Sequence, residues 1–271
     1  MNKNRLKQLW AEGKPTINGW LSIGNPFTAE IMAAQGYDSI GIDLQHGVVD
    51  YQMAVAMLQA LRASGVIPLI RVPWLEPGII MKALDAGAYG VICPMVNTAK
   101  DAAELVSHVR YPPLGNRSFG PTRANFSAGA NYASEANQEI LAFAMVETAE
   151  AMENLDAIAA TPGLDGIYVG PADLTFSLAQ GRLTPAFDRE EPEMIEALHK
   201  ILAACKRAGI RAALHCGTPD YAARAAGWGF DMTTVSNDVR MLAGAAEASV
   251  KKYRSLMGAA ASAAGGVKGA Y

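Results

Sequence analysis

The sequence of 271 residues is poor in charge. Charged residues make up 18% and the formal net charge is −3, with no long run of one sign. Without a basic stripe, a nucleic acid or a membrane surface is not an expected partner. Long apolar runs are missing too: no stretch approaches the ~20 continuous apolar residues of a membrane span. The N-terminal MNKNRLKQLWAEGK lacks the apolar segment of a signal peptide. Cysteine is scarce, with only Cys93, Cys205 and Cys216 and no CxxC spacing. An odd, scattered set excludes a disulfide framework and argues against structural zinc. Together these absences set the expectation of a protein of the reducing cytoplasm. Apolar residues, in contrast, reach 51%, enough for one large core at a length that suits a single barrel domain.

One pattern recurs. A helix-like run rich in Ala and Leu ends near Gly, and a short β-branched strand follows, as in AAQGYDSIGIDL, LRASGVIPLIRV, LDAGAYGVICP, IAATPGLDGIYVG, CKRAGIRAALHC and ARAAGWGFDMTTV. Gly36, Gly65, Gly87, Gly163, Gly209 and Gly227 stand where a helix end needs a left-handed residue. With NGWLSIG and LAFAMVE added, strands centre near 21, 41, 68, 91, 144, 168, 212 and 233. Near-continuous apolar strands alternating with helices predict a single-domain α/β fold, the (β/α)8 TIM barrel, over residues 1–257. The open doubly wound sheet is the alternative, but GNPFTAE after the first strand lacks its GxGxxG loop. The Gly/Ala-rich stretch 258–271 reads as a flexible tail. Residues 95–140 and 174–190 are the long gaps between strands, and long loops are commonly functional.

A barrel of this type works at the C-terminal ends of its strands. The polar residues predicted there are Trp20, Ser22, Asp43, His46, Arg71, Glu147, Asp173, His215, Ser236 and Asn237. Glu147 and Asp173 follow consecutive strands, so two carboxylates can converge into a hard oxygen site for a divalent ion. Each could equally be a surface acid, and GPADLT marks Asp173 as a helix N-cap. Asp43 and His46 could pair as an oriented general base, or His46 could be a loop histidine. Arg71 could hold an anion or an enolate oxygen, or form a structural ion pair with Asp43 or Glu147. Adjacent residues of a strand point to opposite faces, which argues against a His215–Cys216 nucleophile pair. Arg117 and Arg123, in the long loop, could meet substrate, another subunit or solvent. No lysine falls on a predicted strand, so an aldolase on this chain would not use a Schiff base.

The segments NGW (18–20), IDLQHG (42–47), IRVP (70–73), LDAGAYGVICPMV (84–96), YPPLGNR (111–117), MVET (145–148) and DGIYVGPADL (165–174) together resemble the HpcH/HpaI aldolase family of metal-dependent class II pyruvate aldolases. The resemblance spans about residues 15–255. It implies reversible aldol cleavage and addition between pyruvate or hydroxypyruvate and an aldehyde. It implies Glu147 and Asp173 as ligands of Mg²⁺ or Mn²⁺, with Co²⁺ a further candidate. His46 and Asp43 match the family's dyad and Arg71 its oxygen-binding arginine. Gly170 and Ala172 match the turn that receives the carboxylate, and Trp20 an aromatic at the pocket floor. A homohexamer with exchanged C-terminal helices is implied as well. Met145, where relatives commonly have Gln, and RSFGPTRA (117–124) depart from the family pattern; both are expected near the mouth and bear on the substrate. The alternatives are a citrate-lyase β-like or citramalyl-CoA-type lyase acting on a CoA thioester, and a non-catalytic 2-oxo-acid-binding barrel.

Overall fold

In the computed structural model, which describes residues 1–257, eight parallel strands close into a barrel in sequence order. The strands are β1 (Thr16–Leu21), β2 (Ser39–Asp43), β3 (Ile67–Arg71), β4 (Gly90–Cys93), β5 (Leu141–Val146), β6 (Gly166–Val169), β7 (Arg211–Cys216) and β8 (Met232–Val235). The helices are α1 (Arg5–Ala11), α2 (Pro26–Ala33), α3 (Tyr51–Leu61), α4 (Pro77–Asp85), α5 (Ala99–Val109), α6 (Ala124–Ser127) and α7 (Tyr132–Glu139). They continue with α8 (Ala149–Glu153), α9 (Leu155–Ala159), α10 (Pro171–Ala179), α11 (Pro192–Ala208), α12 (Pro219–Trp228) and α13 (Asp238–Leu256). Each predicted strand centre falls in or beside an observed strand, and the α/β TIM-barrel class holds. The predicted tail 258–271 lies outside the described residues.

Local chemistry starts and stops these elements. Asn25, Asp50, Glu76, Thr98, Thr148, Thr218 and Asn237 accept backbone N–H groups at helix starts. Proline opens α2, α4, α10, α11 and α12, where its missing N–H is no loss. Gly36, Gly65, Gly87, Gly163 and Gly209 have positive φ, as expected. Gly227 does not: it lies inside α12, and Gly229, at φ 113°, ends the helix. The helix end lies two residues beyond Gly227, the expected position.

Three helix-to-strand turns share a Gly–apolar–Asp sequence: Gly36–Tyr37–Asp38, Gly163–Leu164–Asp165 and Gly229–Phe230–Asp231. Each aspartate accepts a backbone N–H from the neighbouring strand: Asp38 from Ile17 at 3.0 Å, Asp165 from Ala142 at 2.8 Å, Asp231 from Ala212 at 2.9 Å. These carboxylates fasten the barrel's N-terminal face. The same face is closed by α1, whose Leu6 and Trp10 are buried. Trp10 packs edge-on to Phe143 and donates its indole N–H to Thr16 Oγ1 at 3.0 Å.

The long segment after α5 corrects an expectation. Residues 110–140 include α6 and α7 and pack on that N-terminal face, away from the strand C-termini. Arg117 pairs with Asp85 at the end of α4 (2.6 Å), Arg123 donates to Ala86 O, and Asn2 N donates to Ala128 O (2.6 Å). Within its own chain, 117–124 therefore does not border the mouth. The physical reason is connectivity: a segment joining a helix end to a strand start must cross the bottom of a (β/α) barrel.

Candidate active site

Strand register gathers the site. Asp43 of β2 is the register partner of Arg71 of β3, so both project to the same face. Arg71 Nε donates to Asp43 Oδ1 at 2.9 Å and Nη2 to Oδ2 at 2.6 Å. Trp20 Nε1 adds a longer bond to Oδ2 at 3.3 Å, and the N–H groups of Gln45 and His46 reach Oδ1 at 3.1 and 3.2 Å. Burial pushes the Asp43 carboxyl up, but the Arg71 guanidinium and the two backbone N–H groups outweigh it and hold the group below the ordinary carboxylate range. The Trp20 ring lies 5.0 Å from the guanidinium carbon of Arg71 and fits because Gly41 has no side chain: a Cβ there would stand 2.7 Å from the indole.

This arrangement differs from the expected dyad. Asp43 orients His46 through the backbone N–H, and its side-chain partner is Arg71. His46 itself is exposed at the mouth. The alternative of an Asp43–Arg71 ion pair is the one that forms. Arg71 Nη1 makes no hydrogen bond with a described residue, so the arginine is fixed on one edge and open on another.

Glu147 follows β5 and is 2% exposed. Its Oε1 accepts the Met95 N–H at 2.7 Å, a bond aimed by the left-handed conformation of Met95 (φ 55°). Burial pushes the Glu147 carboxyl up to about 7; the nearby Asp173 charge adds to this, while the Met95 N–H and Arg71 oppose it. Asp173 is exposed, and it is the third residue of α10; the helix N-cap is Gly170, which corrects the predicted N-cap. A carboxylate in that first turn is favoured by the helix dipole. Gly170 is pressed against Glu147: a Cβ there would overlap Glu147 Oε2 and stand 2.9 Å from Met145 Cε. Met145 therefore borders the site, as expected. Ala172 is half-buried beside it in the first turn of α10.

The donor set fits a divalent cation. Two carboxylates repel each other here, Glu147 Oε2 has no protein donor, and a hard ion would relieve both conditions. No group of three or more His, Cys, Asp or Glu side chains is placed to hold a metal among the described residues. A two-carboxylate site leaves the remaining positions to water and substrate, an open site rather than a closed protein cage.

Several residues escaped the sequence reading. Asp238, buried in the first turn of α13, accepts the N–H groups of Ser22 (2.9 Å) and Ile23 (3.0 Å) and so ties the β1 loop to β8. Asn237 and Ser236 were in that reading: Asn237 caps α13, and Ser236 is left-handed at φ 56°. Tyr168, Thr234 and Asn18 form a polar string inside the barrel; their inward register on otherwise apolar strands was the available signal. His215 ends this string, and burial, with the charges of Arg71 and Arg240, holds its imidazole down at about 3. Cys216 points out of that set, and burial pushes its thiol up. Every described lysine lies in a helix, a helix flank or a turn, in keeping with the expectation of no Schiff base.

A closed (β/α)8 barrel with acids, an arginine and an aromatic at its C-terminal face is the layout of a barrel enzyme's active site. The model of HpcH/HpaI aldolase/citrate lyase matches residues 17–244. The chain belongs to this family. It is 38% identical over 253 residues to a hydroxypyruvate/pyruvate aldolase of Rhizorhabdus wittichii, covering 93% of this chain and 100% of that one. It is 33% identical to a 5-keto-4-deoxy-D-glucarate aldolase of Klebsiella pneumoniae, covering 87% and 91%. A crystal structure of a HpcH/HpaI aldolase/citrate lyase family protein from Burkholderia cenocepacia superposes with a TM-score of 0.85 at 34% identity, covering 93% of this chain and 100% of that one.

Proposed function

We propose that the protein is a divalent-metal-dependent aldolase that joins pyruvate or hydroxypyruvate to an aldehyde and reverses the reaction. The observation that carries this reading is the Glu147–Asp173 pair set near the Arg71–Asp43 ion pair at one barrel mouth. Glu147 and Asp173 would hold Mg²⁺ or Mn²⁺, with Co²⁺ a further candidate. The cation supplies positive charge that stabilises the enolate of a 2-oxo acid.

The chain's own residues do the rest. The N–H groups at the start of α10, around Gly170 and Ala172, suit a carboxylate. Arg71, held by Asp43, offers its free Nη1 edge to the ketone oxygen as that oxygen gains charge. Trp20 forms the floor and excludes water from the guanidinium. His46, placed by the Asp43–backbone bond, takes the C3 proton in addition and the hydroxyl proton in cleavage. Losing such a group costs roughly 10²–10⁴ in rate.

Incubating the metal-loaded protein with pyruvate in D₂O tests enolate formation without an aldehyde. Deuterium enters C3 faster than in buffer, and chelation or Glu147→Ala abolishes the gain. Full retro-aldol turnover by metal-stripped protein, or by Glu147→Ala, sinks the metal reading.

A homo-oligomer, a hexamer by family resemblance, completes the proposal. It is supported by α13, which among the described residues buries only Asp238 and leaves Val239, Leu242, Val250, Tyr253 and Leu256 exposed. No helix among the described residues is long and apolar enough to cross a membrane, and small-molecule substrates are the expected partners.

A further inference from the structure

Five hydrogen-bonding side chains run through the barrel interior from β2 to the mouth. Ser39 Oγ donates to Asn18 Oδ1 at 2.8 Å, and Asn18 Nδ2 donates to Thr234 Oγ1 at 2.9 Å. Thr234 Oγ1 lies 2.6 Å from Tyr168 Oη, which lies 3.0 Å from His215 Nδ1. Ser39, Asn18, Tyr168 and Thr234 are wholly buried and His215 is 7% exposed, so each hydroxyl hydrogen needs an acceptor. Thr234 already accepts from Asn18. If it also accepted from Tyr168, its own hydroxyl hydrogen would have no acceptor among the described residues. Thr234 therefore donates to Tyr168, and Tyr168 donates to His215 Nδ1. All the bonds then point one way, and the remaining imidazole proton sits on Nε2.

The ring is also clamped. Phe187 stacks on one face at 4.8 Å and 21°, and Trp20 meets it edge-on at 4.9 Å. Arg71 lies against the same Trp20 ring, so His215 borders the site from the β7 side. Nε2 has no partner among the described residues. Burial and two nearby arginines disfavour a protonated ring, so the group stays a neutral donor across the working range.

We propose that His215 is a specificity-determining residue whose fixed Nε2–H receives a hydroxyl oxygen of the substrate, selecting reactants that carry a hydroxyl beside the reacting carbonyl. This rests on the aldolase reading above. The hydroxyl comes either from C3 of a 3-hydroxy-2-oxo acid or from C2 of a 2-hydroxyaldehyde. A donor left unpaired in a dry pocket penalises the analogue that lacks the hydroxyl.

The test compares kcat/KM of the Mn²⁺-loaded protein for matched pairs. One arm sets hydroxypyruvate against pyruvate with acetaldehyde; the other sets glycolaldehyde against acetaldehyde with pyruvate. His215→Leu lowers the ratio of hydroxylated to deoxy substrate by about tenfold or more in one arm, and that arm identifies the reactant. His215→Gln, which keeps an amide donor, restores part of the ratio. Equal loss on both members of each pair, or no change in either ratio, overturns the proposal. Nitrogen NMR of histidine-labelled wild type, which needs no turnover, shows the proton on Nε2; a proton on Nδ1 overturns the donor assignment even if the kinetics agree. A wild type inactive in every arm and unable to exchange pyruvate C3 protons overturns the aldolase reading and this one with it. An active wild type with an evenly affected variant overturns His215 alone.

Discussion

At Gly170 an added Cβ would overlap Glu147 Oε2 and crowd Met145 Cε. Gly170→Ala therefore displaces the carboxylate before it disturbs the barrel. Overpacking of this kind costs about 1–3 kcal/mol, while metal affinity falls by roughly 10–100-fold because a positioned ligand has moved. Calorimetric titration with Mn²⁺, beside a thermal melt, separates the two; unchanged affinity in the variant would show that Glu147 does not bind the ion. Glu147 also carries a pH signature. Its carboxyl is raised from 4.5 to about 7 by burial in the metal-free protein. The folded state keeps a proton there that the unfolded chain releases, so the group's contribution to stability declines as pH rises from 4.5 towards 7. A cation must displace that proton, so metal affinity rises up to about tenfold per pH unit below 7 and levels off above it. Titrations at pH 6 in buffers of different ionisation enthalpy report proton uptake by the buffer; no release would contradict the assignment. Asp43, Arg71, Glu147 and Asp173 were all readable as strand-end residues, because apolar strands show where they stop. Their partners were readable only as alternatives, with Asp43 and Glu147 both open to Arg71. The choice between them depends on the register between β2 and β3, which pairs Asp43 with Arg71 and which no single-strand periodicity contains.

At the level of elements, the Gly–apolar–Asp turns join a left-handed residue, a buried side chain and a carboxylate bonded to the next strand. They are not equal. Asp165 accepts Ala142 N and Arg110, with Lys7 at 2.9 Å, and the Arg110 side chain is only 5% exposed. Asp38 accepts Ile17 N and lies 3.9 Å from the exposed Arg5. Asp165→Ala strands a buried guanidinium and costs about 3 kcal/mol, whereas Asp38→Ala loses one net hydrogen bond, about 1 kcal/mol. Denaturant melts of the two variants check the order; equal costs would mean that Arg110 is satisfied by Ile140 O and Gly163 O alone. Six of the strands were legible because each is short, apolar and preceded by a glycine turn, and β1 and β5 were legible from their apolar runs. The two long gaps were legible only as gaps. The segment at 110–140 crosses the N-terminal face, while the one at 174–190 brings Phe187 over His215 at the mouth. Composition cannot distinguish a loop that follows a strand from one that follows a helix until the helices between are placed.

For the molecule as a whole, the barrel accounts for its own interior but not for α13. Val239, Leu242, Ala246, Val250, Tyr253 and Met257 fall at intervals of three and four, one stripe along the helix, yet every one of them is exposed. The helix is pinned at its start by Asp238 and Asn237, so the stripe is held out rather than frayed. The sequence displays that stripe as readily as any core-facing helix; the closed barrel reveals that the described residues do not cover it. A second copy is the occupant that a homo-oligomer supplies. A Leu242→Glu, Tyr253→Glu double variant places two charges in the stripe without touching the barrel. Light scattering then gives a smaller mass than wild type at the same concentration. The wild-type melting temperature rises with protein concentration, as it must when subunits stabilise one another, and that of the variant does not. An unchanged mass would move the subunit contact elsewhere on the molecule and leave the α13 stripe to some other partner.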